Sequence, residues 1–175
     1  MKQLKLKHIT PYLTNQLRVA EVDKGKGISD EFTMDVAKFA GGNVGGSDAP
    51  LGSFELGRSF SLEQIKPVLR PLTSITNVEA ANILTMIHKR HVDLESVVVM
   101  KRRDGGLDMY YKAPNCRTLC VVMGMDGVHL DVRPYEIRKN SDTVPRGVSM
   151  GLYEYLFKNH FDVFGLIEKG LVIAK

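Results

Sequence analysis

Residues 118–134 read TLCVVMGMDGVHLDVRP, and the fold turns on how they are read. Asp126-Gly127 is a dipeptide suited to a type I′ turn, because both central positions of that turn need positive φ. Folding the ribbon there sets Met125 opposite Val128, Met123 opposite Leu130 and Val121 opposite Val132. All six side chains then share one apolar face. His129, Asp131 and Arg133 alternate on the other face, and Cys120 falls opposite Arg133. A ribbon apolar on one side and polar on the other is half of an antiparallel sheet, with one surface on a core and one open.

The preceding stretch, VVVMKRRDGGLDMYYKA (97–113), has the same character. A Gly105-Gly106 turn sets Arg103 opposite Asp108 and Met100 opposite Tyr111; an Asp104-Gly105 turn is the alternative register. Upstream, Thr76-Asn77-Val78-Glu79 is a capping box, in which hydroxyl and carboxylate satisfy each other's backbone amides. It opens a helix whose apolar stripe is Ala80, Ile83, Leu84, Ile87 and His91, with Asn82, Thr85 and Lys89 facing away. Lys89, Arg90 and His91 suit the negative C-terminal end of its dipole.

The flanks are less regular. Leu4 and Leu6 alternate with Lys5 and Lys7, which predicts a strand ending at Thr10-Pro11. Residues 16–23 (QLRVAEVD) predict a second strand, 24–27 (KGKG) a turn, and 31–39 a third strand. Ser61 and Gln64, with Phe60 positioned to staple Ile65, predict a helix start that Pro67 and Pro71 keep short. Residues 138–148 (RKNSDTVPRGV) form a polar connection. Leu152, Tyr153, Leu156, Phe157 and His160 mark an amphipathic helix. A short helix or turn over 163–169 is stopped by Gly170, and Leu171-Val172-Ile173 is a last strand.

With 175 residues, 43% apolar and 25% charged, the chain has the composition of one globular domain, 1–175. No apolar run approaches the roughly 20 residues that cross a bilayer, and the alternating N-terminus is not a signal peptide. Cys116 and Cys120, on one extended segment, stand roughly 13 Å apart and cannot bond to each other. Reduced thiols in a cytosolic compartment follow. The net charge of +4 favours anionic partners mildly.

Four constellations carry candidate chemistry. Residues 39–52, FAGGNVGGSDAPLG, place Gly41 and Gly46 at the spacing of a phosphate-cradling P-loop. Ser47 and Asp48 stand where that loop needs Lys and Ser/Thr, so a flexible glycine-rich connection near 40–53 is the reading. His88-Lys89-Arg90-His91 is H-x-x-H, but no third ligand accompanies it at a zinc-like spacing. His129, Asp131 and Arg133 have the groups for acid–base work, and they are also what the solvent side of a half-buried strand presents. Last, the basic residues cluster at Lys89 and Arg90 and at Lys101, Arg102 and Arg103, with Tyr110 and Tyr111 on the paired strand. Cations beside aromatics on a sheet suit a nucleic-acid single strand, through phosphate contacts and base stacking.

Three segments carry a resemblance: LKLKHITPYL (4–13), IKPVLRPL (65–72) and NHFDVFGLIEKGLVI (159–173). In these, roughly a fifth of its length, the chain resembles a group of small phage- and prophage-encoded proteins of Bacteroidetes. Where that group has a Pro-Tyr-Gly turn after the opening segment, this chain has Thr14-Asn15-Gln16. The resemblance implies a phage-derived protein made in the bacterial cytoplasm; it brings no catalytic residue and no cofactor.

The expectation is an α+β domain, a mostly antiparallel sheet with two or three helices on one face. The expected role is a non-enzymatic binding or accessory protein whose partner is nucleic acid or another phage or host protein. Lys89, Arg90, Lys101, Arg102, Arg103, Tyr110 and Tyr111 are the candidate nucleic-acid contacts, and no catalytic residue, cofactor or metal is assigned. The alternatives are a small enzyme using His129, Asp131 and Arg133, and a virion or protein-interaction component.

Overall fold

The computed structural model describes residues 4, 6–15, 17–23, 27–34, 51–53, 58–60, 65–113, 118–126, 129–137, 143–145 and 147–175. The glycine-rich stretch 39–50, Cys116, Gly127 of the expected Asp126-Gly127 turn with its neighbour Val128, and the expected helix start at 61–64 lie outside them. The fold is α+β, with helices beside mostly antiparallel sheets. Composition offers no reason to divide the chain, yet its contacts form two compact units. One comprises Met1–Arg70, Phe157–Asp162 and Leu166–Lys175; the other comprises Pro71–Leu156 and Val163–Gly165.

In the first unit, α1 (Leu6–Leu13) replaces the strand expected from the Leu/Lys alternation. Four alternating residues are a weak signal; Ile9, Tyr12 and Leu13 form a buried stripe at i, i+3, i+4, and that burial sets the conformation despite Pro11. The strand expected over 16–23 is present as β1 (Leu17–Asp23). It pairs with β2 (Gly27–Met34), which starts and ends earlier than the third strand expected over 31–39. Beyond them, β3 (Leu51–Ser53) and β4 (Arg58–Phe60) form a small antiparallel pair.

β5 (Ile65–Leu69) is a strand where the sequence predicts a helix. Pro67 disfavours helix at the residue before it, and Pro67, Val68 and Leu69 are all buried, the mark of a strand covered on both faces. β5 lies between β1 and the parallel β11 (Ile173–Ala174). β11 begins opposite Val68, so the N–H that Pro67 lacks falls where β5 has a neighbour on one side only.

Most of the three segments of the resemblance, residues 4–13, 65–70, 159–162 and 166–173, falls in this unit. The Tyr12 hydroxyl donates to the Phe161 carbonyl at 2.8 Å, and the Tyr12 ring stands edge-on to Phe157. The Arg70 guanidinium lies 4.3 Å over the Phe161 ring, while the Arg70 backbone bonds His160 and Asp162 on either side of it. Gly170, at φ +68°, ends the 166–169 turn as expected: Gly170 N–H reaches the Ile167 carbonyl and Leu171 N–H the Leu166 carbonyl, the paired bonds of a Schellman motif.

In the second unit, α2 (Asn77–His88) carries the expected capping box. Thr76 Oγ1 accepts from Glu79 N–H at 3.3 Å, and the Glu79 carboxylate accepts from Thr76 N–H at 2.9 Å. The stripe closes with His88 rather than His91: the helix stops at Lys89, which takes φ 52°, and His91 is exposed. α2 packs across three strands of a five-stranded sheet: β6 (Val97–Lys101), β7 (Leu107–Lys112) and β8 (Thr118–Asp126). The sheet continues through β9 (His129–Ile137) to β10 (Thr143–Pro145), in the order β10-β9-β8-β7-β6. The 138–148 segment, expected as a connection, thus contributes an edge strand.

Both hairpins form, each in a register other than the expected one. In the first, Met100 pairs with Asp108 and Lys101 with Leu107. The loop is Arg103-Asp104-Gly105, closed by Gly105 N–H to the Arg102 carbonyl at 3.2 Å, with Gly105 at φ 79°. Asp104 favours this three-residue loop with its left-handed glycine by turning back on its own chain. Its Oδ1 accepts from Gly106 N–H at 3.0 Å. In the second, Asp126 pairs with His129, Met125 with Leu130, Met123 with Val132 and Val121 with Pro134. The shift is two residues, so every side chain keeps its face. Cys120 therefore lies opposite Tyr135, not Arg133.

The last helix, α3 (Met150–Lys158), buries Leu152 and Leu156, and the boundary between units falls within it. His160 lies beyond its end in a left-handed conformation, φ 57°, its Nε2 donating to the Asn15 carbonyl at 2.7 Å.

Candidate functional site

Alternation along the strands of the second unit separates two faces. Leu107, Met109, Tyr111, Leu119, Val121, Met123 and Leu130 face the buried side, where α2 packs. With them is Glu136, a carboxylate buried to 0% exposure that no sequence pattern singles out. The opposite face is open, and the strand registers arrange it in rows.

The first row runs Arg102, Gly106, Gly124, Asp131. Two glycines leave a floor without side chains, and the Arg102 guanidinium lies on it: a Cβ on Gly106 would stand 2.9 Å from Arg102 Nε, and one on Gly124 3.3 Å from Nη2. Arg102 donates through Nε to Asp104 Oδ1 at 3.0 Å, pairs through Nη2 with Asp104 Oδ2, and reaches Asp108 with Nη1 at 3.6 Å. The bond to Arg102, then the Gly106 N–H, hold the Asp104 carboxyl down at about 2. The next row runs Met100, Asp108, Val122, Arg133. Arg133 Nε bonds Asp131 Oδ2 at 3.0 Å, with the two side chains 66% and 42% exposed.

The third row runs Val98, Tyr110, Cys120, Tyr135. Tyr110 and Tyr135 stand two strands apart, roughly 9–10 Å between backbones. Their hydroxyls nevertheless interact with each other, and that of Tyr135 also with the Cys120 thiol. The Tyr110 hydroxyl also reaches Asp108 Oδ2 at 3.4 Å. Burial pushes the Cys120 thiol up to about 11, against the opposing hydrogen bond from Tyr135. Burial, then the neighbouring thiol and phenol, pushes Tyr135 up to about 12, and burial followed by Asp108 raises Tyr110. A fourth row holds Lys112, Thr118 and Ile137.

These shifts predict an alkaline limb to stability. Cys120 and Tyr135 hold their protons more tightly in the folded chain than their ordinary values of 9.0 and 10.0. The stabilisation they confer is complete below pH 9 and is lost as pH rises through about 11 to 12. Tyr135→Phe should flatten that limb, measured as unfolding midpoint against pH from 8 to 12; an unchanged slope would separate Tyr135 from it.

The candidate nucleic-acid contacts do not share one surface. Arg102 and Tyr110 belong to the open face, and Arg103 is exposed in the hairpin loop beside it. Lys101 is on the α2 side, Lys89 and Arg90 follow α2, and Tyr111 is 6% exposed, turned from its neighbour Tyr110 by the period of the strand. Of the polar trio, Asp131 and Arg133 are paired with each other on the open face, and the His129 side chain lies outside the described residues. His88 is buried with Nε2 3.3 Å from the Cys120 carbonyl, to which only an N–H can bond, and His91 is beyond the helix, so H-x-x-H is not a two-ligand face. Among the described residues no three His, Cys, Asp or Glu side chains converge. The residue that sequence reading misses is Tyr135. It shares the parity of Asp131 and Arg133, but Pro134 marks the apparent end of the ribbon, whereas β9 runs on to Ile137.

Among the described residues no helix is long and apolar enough to cross a membrane. No family model, curated protein or solved structure matches the chain.

Proposed function

We propose that the chain is a phage-derived, non-enzymatic binding protein that holds single-stranded nucleic acid on the open face of its five-stranded sheet. The observation that carries this reading is the pair Tyr110 and Tyr135, half-buried and with interacting hydroxyls, in one row on the face of the sheet opposite α2. Base stacking on tyrosine tolerates any sequence because every base has a π-face. Arg133 and Lys112 each stand one row from the pair, Arg102 two rows away, and Arg103 at the rim. The described aspartate side chains on this face, Asp108 and Asp131, are each beside a guanidinium, and Arg133, 66% exposed, meets Asp131 through Nε rather than through its terminal nitrogens. A phosphate can use those donors. The phage origin rests on the resemblance of the segments that fall mostly in the first unit, and the bacterial cytoplasm is the compartment that accompanies it. Against the enzyme alternative stand a protonated thiol and an acid–base pair neutralised by its own partner.

The test is fluorescence anisotropy with a labelled oligothymidylate, across a salt series. Affinity is expected to fall linearly on a log–log plot, and Arg103→Glu or Lys112→Glu to weaken binding for every sequence tried. Tyr110→Ala and Tyr135→Ala should each lose roughly 5- to 150-fold, the equivalent of one stacked base. Tyr135→Phe should bind as the wild type, since the ring and not the hydroxyl is used. Salt-independent affinity, or alanine variants that bind normally, would overturn the proposal.

A further inference from the structure

The open face has one feature that the nucleic-acid reading does not use. Val98 and Met100, on β6, are 53% and 55% exposed. Among the described residues β6 is the last strand of its sheet. Which backbone groups it offers outward is set by the ladder. Arg102 N–H bonds the Gly106 carbonyl at 2.9 Å, so residue 102 faces β7, and by antiparallel alternation so do 100 and 98. The N–H and C=O groups of Val97, Val99 and Lys101 therefore point away from the sheet.

We infer that this edge is the docking site for a second copy of the chain, β6 pairing antiparallel with β6 about a two-fold axis at Val99. The strand is five residues long and Val99 is its centre, so this register pairs all of it. Val97 meets Lys101 of the second copy and Val99 meets its equivalent. Those are the residues with outward hydrogen-bonding groups, so the phase of the ladder is right. The intervening pairs are Val98 with Met100 of the second copy, and Met100 with Val98. These are the non-hydrogen-bonded positions, where side chains approach most closely. The two exposed apolar residues thus cover each other twice. Glu95 and Arg103, two residues beyond the strand at its two ends, are both exposed and of opposite charge.

Self-complementarity favours a copy of this chain over an unrelated extended peptide, whose side chains would have no reason to match. The pairing joins two open faces into one continuous surface and does not depend on what that surface binds. A five-residue strand pair is smaller than a standard interface of roughly 1,600 Å², so the association should be weak and visible only at micromolar concentration or above.

The test is sedimentation equilibrium of the full chain from ~1 to ~200 μM, the range in which so small an interface saturates. The weight-average mass should rise toward twice 19.5 kDa. Val99→Pro removes an outward N–H without touching the ladder to β7 and should remain monomeric with an unchanged circular dichroism spectrum. Val98→Lys and Met100→Glu should each abolish pairing, while the double variant should restore it, since the new ammonium at 98 faces the new carboxylate at 100 of the second copy. A wild type that stays monomeric throughout, a Val99→Pro variant that still dimerises, or a double variant that fails to recover would overturn the assignment. So would dimerisation that the two single changes leave intact. Val99→Pro changes no side chain of the open face, so oligonucleotide binding by that variant remains a separate readout.

Discussion

Asp162→Ala is expected to lower the free energy of unfolding by roughly 2–4 kcal/mol, a large loss for a single polar side chain. Asp162 is almost completely buried, and both its oxygens are committed to backbone. Oδ1 accepts from Leu166 N–H at 2.9 Å and Oδ2 from Ile167 N–H at 2.8 Å. Its own N–H bonds the Arg70 carbonyl at 2.8 Å. Truncation removes two charge-assisted bonds and leaves two amide donors, one of them fully buried, without an acceptor; each such donor costs about 1–3 kcal/mol. Asp162→Asn keeps one carbonyl oxygen but turns an NH₂ toward the second donor, so about half of the loss should remain. The chain has no tryptophan, so denaturant titration followed by far-ultraviolet circular dichroism is the natural measurement. An Asp162→Ala loss below ~1 kcal/mol would mean that the 166–170 turn is held by its left-handed glycine rather than by the carboxylate.

The second large effect is expected from one of two glycines that look equivalent in the sequence. Gly106→Ala places a Cβ 2.8 Å from the Met123 carbonyl oxygen and 2.9 Å from Arg102 Nε. The carbonyl belongs to β8 and cannot retreat without loosening the β7–β8 ladder, and Arg102 is tethered to Asp104 and Asp108. The expected loss is roughly 1–3 kcal/mol, the usual range for overpacking. Gly124→Ala meets only Arg102 Nη2 at 3.3 Å and the Gly106 Cα at 3.9 Å. The end of a guanidinium can give by a few tenths of an ångström, and alanine is less costly than glycine to order in a strand. Gly124→Ala should therefore stay within about 1 kcal/mol of wild type. Equal losses at the two positions would show that Arg102 does not lie over a glycine floor.

Some of this was legible from residues alone. The α2 capping box, the two hairpins, the inward and outward faces of β8 and β9, and the role of Gly170 are local patterns with local causes. Thr76 and Glu79 satisfy each other's amides whatever surrounds them, and alternation puts Tyr110 and Tyr111 on opposite sides of any sheet. The registers were not legible. Pairing Met125 with Val128, as an Asp126-Gly127 turn requires, and pairing it with Leu130, as observed, both keep the faces of the second ribbon, and their difference lies in which cross-strand pairs pack best. α1 and β5 were misread for a related reason. A four-residue alternation and a serine before Pro67 are weaker than the burial of Ile9, Tyr12, Leu13, Val68 and Leu69, and that burial involves residues more than a hundred positions away.

By itself, the sequence determined the class of fold, the half-buried sheet and the chemical character of its open side, because period and turn chemistry act within a few residues. Tertiary structure alone decided that residues 4–13, 65–70, 159–162 and 166–173 fall in one unit, that Arg102 spans two glycines, and that Tyr110, Cys120 and Tyr135 share one row. Those arrangements depend on which strands become neighbours. Neighbours are chosen by the total burial and hydrogen bonding of the assembled chain, to which no single segment holds the key.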